Sequence, residues 1–125
     1  MSVGNTICWA DIPVTDLDRA ITFYTAVLGQ PVTKDTIPGY GAFALLPHAD
    51  QGASGCLVVT PDNPPSARGP LVYLNVAGRH DAAEAAVAAH GGTVVEPKHP
   101  IGPHGFRTVL HDSEGNRIAL HSPPA

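Results

Sequence analysis

The 125-residue sequence holds only two cysteines, Cys8 and Cys56, and no CxxC pair. Isolated thiols of this kind read as small buried hydrophobes in a reducing compartment rather than as a disulfide framework. There is no basic block, and the formal net charge is −4. A nucleic-acid groove or a patch for an anionic membrane surface is therefore not expected, while small anions stay open as ligands because a local pocket can differ from the average. No apolar run approaches the roughly 18 residues that a membrane span needs. The N-terminus shows neither the basic segment nor the apolar run of a secretory leader. The expectation is a soluble, cytoplasmic protein. The signatures of nucleophilic catalysis are missing as well, with no GxSxG, no reactive cysteine context and no carboxylate pair at fixed spacing. Gly102, Gly105 and the Gly52–Gly55 region read as mobile loops, because none precedes a helix as a phosphate cradle must. His99, His104 and His111 match no zinc motif and read as solvent-exposed.

What the chain does contain is an internal repeat. Sliding the sequence by 62 residues lays Leu71–Gly91 beneath Trp9–Gly29 without a gap, matching Val14 with Val76, Ala20 with Ala82 and Gly29 with Gly91. Each copy follows one grammar of strand, cap, helix, glycine stop and new strand. The length suits a single domain over residues 1–125, with one module over 6–60, a linker over 61–70 and a second module over 71–122.

In the first module, Thr6–Val14 reads as a strand with Ala10, Ile12 and Val14 on one face and Trp9, Asp11 and Pro13 on the other. Thr15 or Asp16 caps a helix whose apolar stripe is Leu17, Ala20, Ile21, Tyr24, Val27 and Leu28, stopped by Gly29. Strands are expected at Pro31–Asp35, Tyr40–Leu46 and Ser54–Thr60, and the proline-rich Pro61–Pro70 reads as an extended linker ordered at its ends. In the second module, Leu71–Ala77 repeats the first strand, with Val72, Leu74 and Val76 toward the helix and Leu71, Tyr73 and Asn75 away from it. Asp81 with Glu84 suggests a capping box for a helix that runs to His90. Thr93–Glu96 is a strand, Pro97–Gly105 a loop, and Phe106–His111 with Arg117–Ser122 a hairpin across the turn Asp112–Asn116. The predicted fold class is α+β, built from two βαβββ modules whose curved mixed sheets carry a helix on the outer face and enclose a concave cavity.

IPVTDLDRAITFYTAVLG near the start and FRTVLHDSEGNRIALHS at the end resemble the vicinal oxygen chelate superfamily of glyoxalases, extradiol dioxygenases and bleomycin-resistance proteins. The likeness covers nearly the whole chain and is closest to a bacterial branch of small glyoxalase-related proteins. It implies a homodimer. It also implies metal-ligand slots at Trp9, within Gly55–Val59, at Leu71 and at Ala119, where this sequence offers no His, Glu or Asp. A metal centre of the usual kind is therefore not expected, and no cofactor is called for.

Without a metal, the expected cavity is lined by Trp9, Asp11, Leu71, Tyr73, Asn75, Ala119 and His121, with Phe106 and Arg117 as further ligand contacts. Trp9 offers a face for a planar ligand. Asp11, pointing inward, would have a raised pKa unless donors compensate, and reads as a general base, a ligand anchor or a partner of Arg107, Arg117 or His121. Tyr73 and Asn75 can hydrogen-bond a ligand without carrying charge, and His121 could shuttle a proton. The reading is a metal-independent protein that binds a small, partly aromatic molecule in the Trp9 cavity. The alternative is a metal-independent lyase or isomerase with Asp11 as base and Tyr73 or His121 as acid. A divalent-metal-dependent glyoxalase or dioxygenase, using unexpected ligands such as Asp11 and His121, and a non-catalytic interaction module are less favoured.

Overall fold

The structure is a computed structural model that describes residues 6–49 and 52–124. β1 (Trp9–Pro13) leads into α1 (Leu17–Leu28) through Asp16, whose carboxylate accepts the Arg19 backbone N–H at 3.0 Å and so satisfies a free donor of the first turn. Asp18 lies in that turn, where a negative charge complements the helix dipole. At the other end, Gly29 takes φ 69° and donates to the Thr25 carbonyl, a left-handed stop that only glycine adopts without strain. Ala20, Phe23, Tyr24, Val27 and Leu28 are the buried stripe, with Phe23 added to the expected set and Leu17 and Ile21 only partly buried at its edge.

The chain then forms β2 (Thr33–Ile37), β3 (Gly41–Leu45) and β4 (Ser54–Val58), and β1 returns to pair with β4 in parallel, giving the order β1-β4-β3-β2. β2 begins two residues later than expected and is exposed throughout, as an edge strand that pairs only with β3. Gly55 sits inside β4 rather than in a mobile loop. A Cβ there would overlap the Ala10 carbonyl, so the close approach of β1 to β4 requires glycine.

The second half repeats this plan. β5 (Val72–Asn75) leads through α2 (His80–Ala89) to β6 (Thr93–Pro100), a 3-10 turn (Gly102–His104), β7 (Phe106–His111) and β8 (Arg117–Ser122), in the order β5-β8-β7-β6. The hairpin bounds agree with expectation, because the Asp112–Asn116 turn fixes its register. Two local readings do not hold. No side chain caps α2: Arg79 stands at the cap, and Glu84 instead accepts the Lys98 backbone N–H at 2.7 Å and the Thr108 hydroxyl at 2.6 Å. β6 runs on through Pro97–Pro100, expected as loop, because an edge strand tolerates residues without an N–H and absorbs irregularity as two register shifts.

The helices lie against each other, and one hydrophobic core draws on both halves, from Ile12, Val14 and Leu57 to Leu110, Ile118 and Leu120. The 112–116 turn couples the halves. Glu114 accepts the Thr15 and Asp16 backbone N–H groups, each at 2.9 Å, and pairs with the Arg19 guanidinium at 2.7 Å. Tyr24 donates its phenol to Asp112 at 2.5 Å, and Asn116 donates to the Pro13 carbonyl at 2.7 Å. The 61–70 connection is pinned in its middle and not only at its ends, since the Ser66 N–H donates to Asn116 at 3.1 Å. No helix among the described residues is long and apolar enough to cross a membrane.

Candidate functional site

Strand alternation sends Ala10 and Ile12 toward the core side of β1 and leaves Trp9 and Asp11 on the opposite face. Trp9 is 47% exposed. The indole N–H donates to Asp11 Oδ1 at 3.0 Å, which orients the ring. The same oxygen accepts the Cys56 thiol at 3.3 Å, Asp11 and Cys56 being register partners across β1 and β4. Burial, reinforced by the bond to Asp11, pushes the Cys56 thiol up to about 11, so it stays protonated and acts as a donor. Asp11 is itself exposed. Its two donors are Trp9 and Cys56, not Arg107, Arg117 or His121.

A second polar group occupies the corresponding face of the other sheet. The Tyr73 hydroxyl accepts from Arg107 Nη1 at 3.0 Å. Arg107 Nε donates to His99 Nε2 at 3.1 Å, while His99 Nδ1 lies 2.8 Å from the Pro97 carbonyl, which sets the tautomer: Nδ1 carries the hydrogen and Nε2 accepts. His99 is therefore half-buried and engaged rather than free in solvent. Glu96 stands between Arg107 at 3.9 Å and Arg117 at 3.8 Å. His121 lies with its ring centroid 6.3 Å from that of Tyr73 and donates from Nε2 to the His104 carbonyl at 2.7 Å.

The expected lining residues thus separate. Trp9 and Asp11 form one group and Tyr73 and His121 another, and no hydrogen bond or ring contact among the described residues joins the two. Asn75 shares the Tyr73 face but spends its side-chain oxygen on the Ala77 N–H at 2.9 Å. Ala119 has no exposed surface, covered by the side chains around it, so it is a floor and not a contact. Leu71 is half-buried just ahead of β5. Phe106 lies on the other side of its sheet, the helix side, where Lys98 Nζ sits 5.1 Å from its ring. Alternation from Arg107 required this, and the expectation that Phe106 meets the same ligand as His121 is corrected. The sequence offered Arg107 only as a partner for Asp11, took His99 for solvent-exposed and gave Glu96 no role. The signal was the hairpin register, which sets Arg107 opposite His121.

Two hollows flank the β1 and β5 edges. The larger, about 670 Å³, has apolar walls from Ala10, Ile12, Leu28 and Leu74 and reaches Tyr73 and Asn75. The smaller, about 320 Å³, is bordered by Asp11, Arg68 and Arg117. Both volumes suit small molecules. The metal slots implied by the resemblance fare differently. Trp9, Leu71 and Ala119 carry no suitable lone pair, and the one sulfur in the remaining slot, Cys56, is held protonated. Among the described residues no three His, Cys, Asp or Glu side chains converge. This donor set does not fit a divalent ion held in the usual way.

The sequence model of the glyoxalase-like domain matches residues 7–121. The chain is 26% identical over 113 residues to "Putative glyoxylase CFP32" of Mycobacterium bovis and Mycobacterium tuberculosis, covering 90% of this chain and 43% of those proteins. It therefore spans less than half the length of these relatives. Among solved structures it is similar to a glyoxalase/bleomycin resistance protein from Albidiferax ferrireducens T118, with TM-score 0.76, 21% identity and coverage of 96% of this chain and 100% of that one. It is also similar to TnmS3, an antibiotic binding protein from Streptomyces sp. CB03234, with TM-score 0.67, 23% identity and coverage of 98% and 99%. The sheet order, the paired helices and the match over nearly all of its length agree: the chain belongs to the glyoxalase-like domain family of the vicinal oxygen chelate superfamily.

Proposed function

We propose that this protein binds a small, partly aromatic molecule against the face of Trp9, without help from a divalent ion. One observation carries the reading: a half-exposed indole on the open face of its sheet, oriented by a 3.0 Å bond to Asp11. A large aromatic ring oriented in advance of binding gives contact area at low entropic cost. The antibiotic-binding role of TnmS3, a protein of the same fold, is in keeping with this class of ligand. The open faces favour a homodimer. One carries Trp9, Asp11 and Phe43, the other Arg107, Arg117 and His121, so a two-fold axis would set an acidic, aromatic face on a basic one twice over.

Calorimetric titration with a panel of aromatic ligands, in the wild type and in Trp9→Ala, tests this. At least one ligand should bind in the micromolar range and lose about 2 kcal/mol of affinity in the variant. Equal affinity in the two proteins contradicts the reading. Asp11 Oδ2 accepts no hydrogen bond among the described residues, which keeps a second reading alive: a metal-independent lyase or isomerase with Asp11 as base and Tyr73 or His121 as acid. Asp11→Asn would then abolish turnover while preserving ligand affinity; full turnover in that variant removes the reading.

A further inference from the structure

The second sheet ends on β5, which pairs only with β8. In a parallel ladder, alternate residues of a strand turn their N–H and C=O toward a given neighbour. The Val76 N–H donates to the His121 carbonyl at 2.9 Å, and Asn75 stands opposite His121, so Val72, Leu74 and Val76 address β8. Tyr73 and Asn75 therefore turn their main-chain donors and acceptors to the free side. Among the described residues no strand or loop takes them there. On that side lies the hollow of about 670 Å³, bordered by all four residues of β5, by Ala10 and Ile12 of β1, and by no residue of β8.

An unpaired strand edge is an open template for another chain, and proteins commonly guard it with proline, charge or irregular register. The other two-ended comparison within this molecule is β6, which carries Pro97, Pro100 and two register shifts. β2 presents Lys34 and Asp35 to solvent. β5 has none of these devices: its sequence is Val-Tyr-Leu-Asn, in continuous register with β8. Walls shelter its free side instead, from Leu28, Leu46 and Leu74 together with Ala10 and Ile12. Those walls come from both halves of the chain. A second folded copy cannot bring its own sheet between them, whereas a single extended chain can enter. N–H and C=O groups repeating every second residue, about 6.6 Å apart, beside apolar walls are what such a chain complements. The volume suits a ligand of only a few residues.

We propose that the free edge of β5 takes up a short, extended peptide with apolar side chains, which adds a strand to the second sheet through the main chain of Tyr73 and Asn75. This site is separate from the Trp9 platform, and its test uses a probe without an aromatic ring: acetyl-Val-Ala-Val-amide. Amide NMR and hydrogen exchange on the whole chain report the pairing. In the free protein the Tyr73 and Asn75 amides should exchange fast, while that of Val76, already bonded to His121, is protected. The peptide should shift the Tyr73 and Asn75 signals saturably and slow their exchange about tenfold or more, leaving the amides of β2 unchanged. The deciding change is made in the ligand, so the folding of the protein is not at stake. The peptide is N-methylated at each amide in turn, which removes one donor and keeps every side chain. At least one such peptide should bind about tenfold more weakly, as the loss of a main-chain hydrogen bond implies. Equal affinity across the N-methylated series overturns the proposal, because it assigns binding to the apolar walls alone. So do Tyr73 and Asn75 signals that millimolar peptide leaves still, or Tyr73 and Asn75 amides already protected in the free protein.

Discussion

His80 is 5% exposed at the start of α2, with Nδ1 2.6 Å from the Ser122 hydroxyl and Nε2 2.8 Å from that of Thr108. Burial pushes its imidazole below the ordinary 6.5, and the Lys98 and His121 charges act the same way against the opposing pull of Glu84 and Asp81. The folded state therefore binds fewer protons here than the unfolded chain, so this contribution to stability is complete above about pH 6.5 and declines as the pH falls through it. Thermal melts should show a lower Tm at about pH 5 than at about pH 7.5, and His80→Gln should flatten that slope while costing about 1–3 kcal/mol at neutral pH. An unchanged slope in the variant would assign the pH response elsewhere. Glu114 behaves in the opposite sense. Burial alone would raise its carboxyl, but the Arg19 guanidinium, the Asp16 and Thr15 N–H groups and the Ser113 hydroxyl together outweigh that and hold it at about 2. Its stabilisation is present above the ordinary 4.5 and is lost as the pH falls from there toward about 2. Glu114→Gln should cost about 2–3 kcal/mol in urea unfolding at neutral pH and lessen the acid sensitivity below pH 4.5.

At the scale of elements, the two stretches that carry the family resemblance prove to be two sides of one contact. Arg19 and Tyr24 of α1 meet Glu114 and Asp112 of the 112–116 turn, and that turn caps a helix more than ninety positions away in sequence. Glu114→Gln should accordingly expose the amides of Thr15 and Asp16 to faster hydrogen exchange than those of α2, because the cap that it breaks belongs to α1. Equal acceleration in both helices would mean that the turn acts only through global stability. None of this was legible in the chain, since a turn motif announces its own backbone geometry and not the donors that it will meet. α1 was legible because its period, cap and glycine stop are all local. The end of β6 was not, because Pro97 and Pro100 signal a loop until the strand is known to lie at an edge. Phe106 shows the limit on the site: alternation sorts the residues of a strand into two faces, but it names the ligand-facing one only when a neighbour of known side fixes it.

At the scale of the whole molecule, the repeat foretold two βαβββ modules, and two four-stranded sheets of one strand order are present. The cavity was foretold less well. Alternation placed Trp9, Asp11, Tyr73 and His121 off the core face, yet the relation between the two sheets depends on helix contacts and on the 112–116 turn, which no period in the sequence records. The separated groups are what a two-fold partner would reunite, and sedimentation equilibrium should give a dimer at micromolar concentration; a monomer throughout that range would leave each face as a site by itself. The central claim is that Trp9 receives a small molecule without a divalent ion. Its most direct test follows Trp9 fluorescence during titration with 1-naphthoate, before and after exhaustive dialysis against EDTA. The account predicts saturable quenching with the same midpoint in both samples, whereas quenching that vanishes on chelation and returns with added zinc or manganese would contradict it.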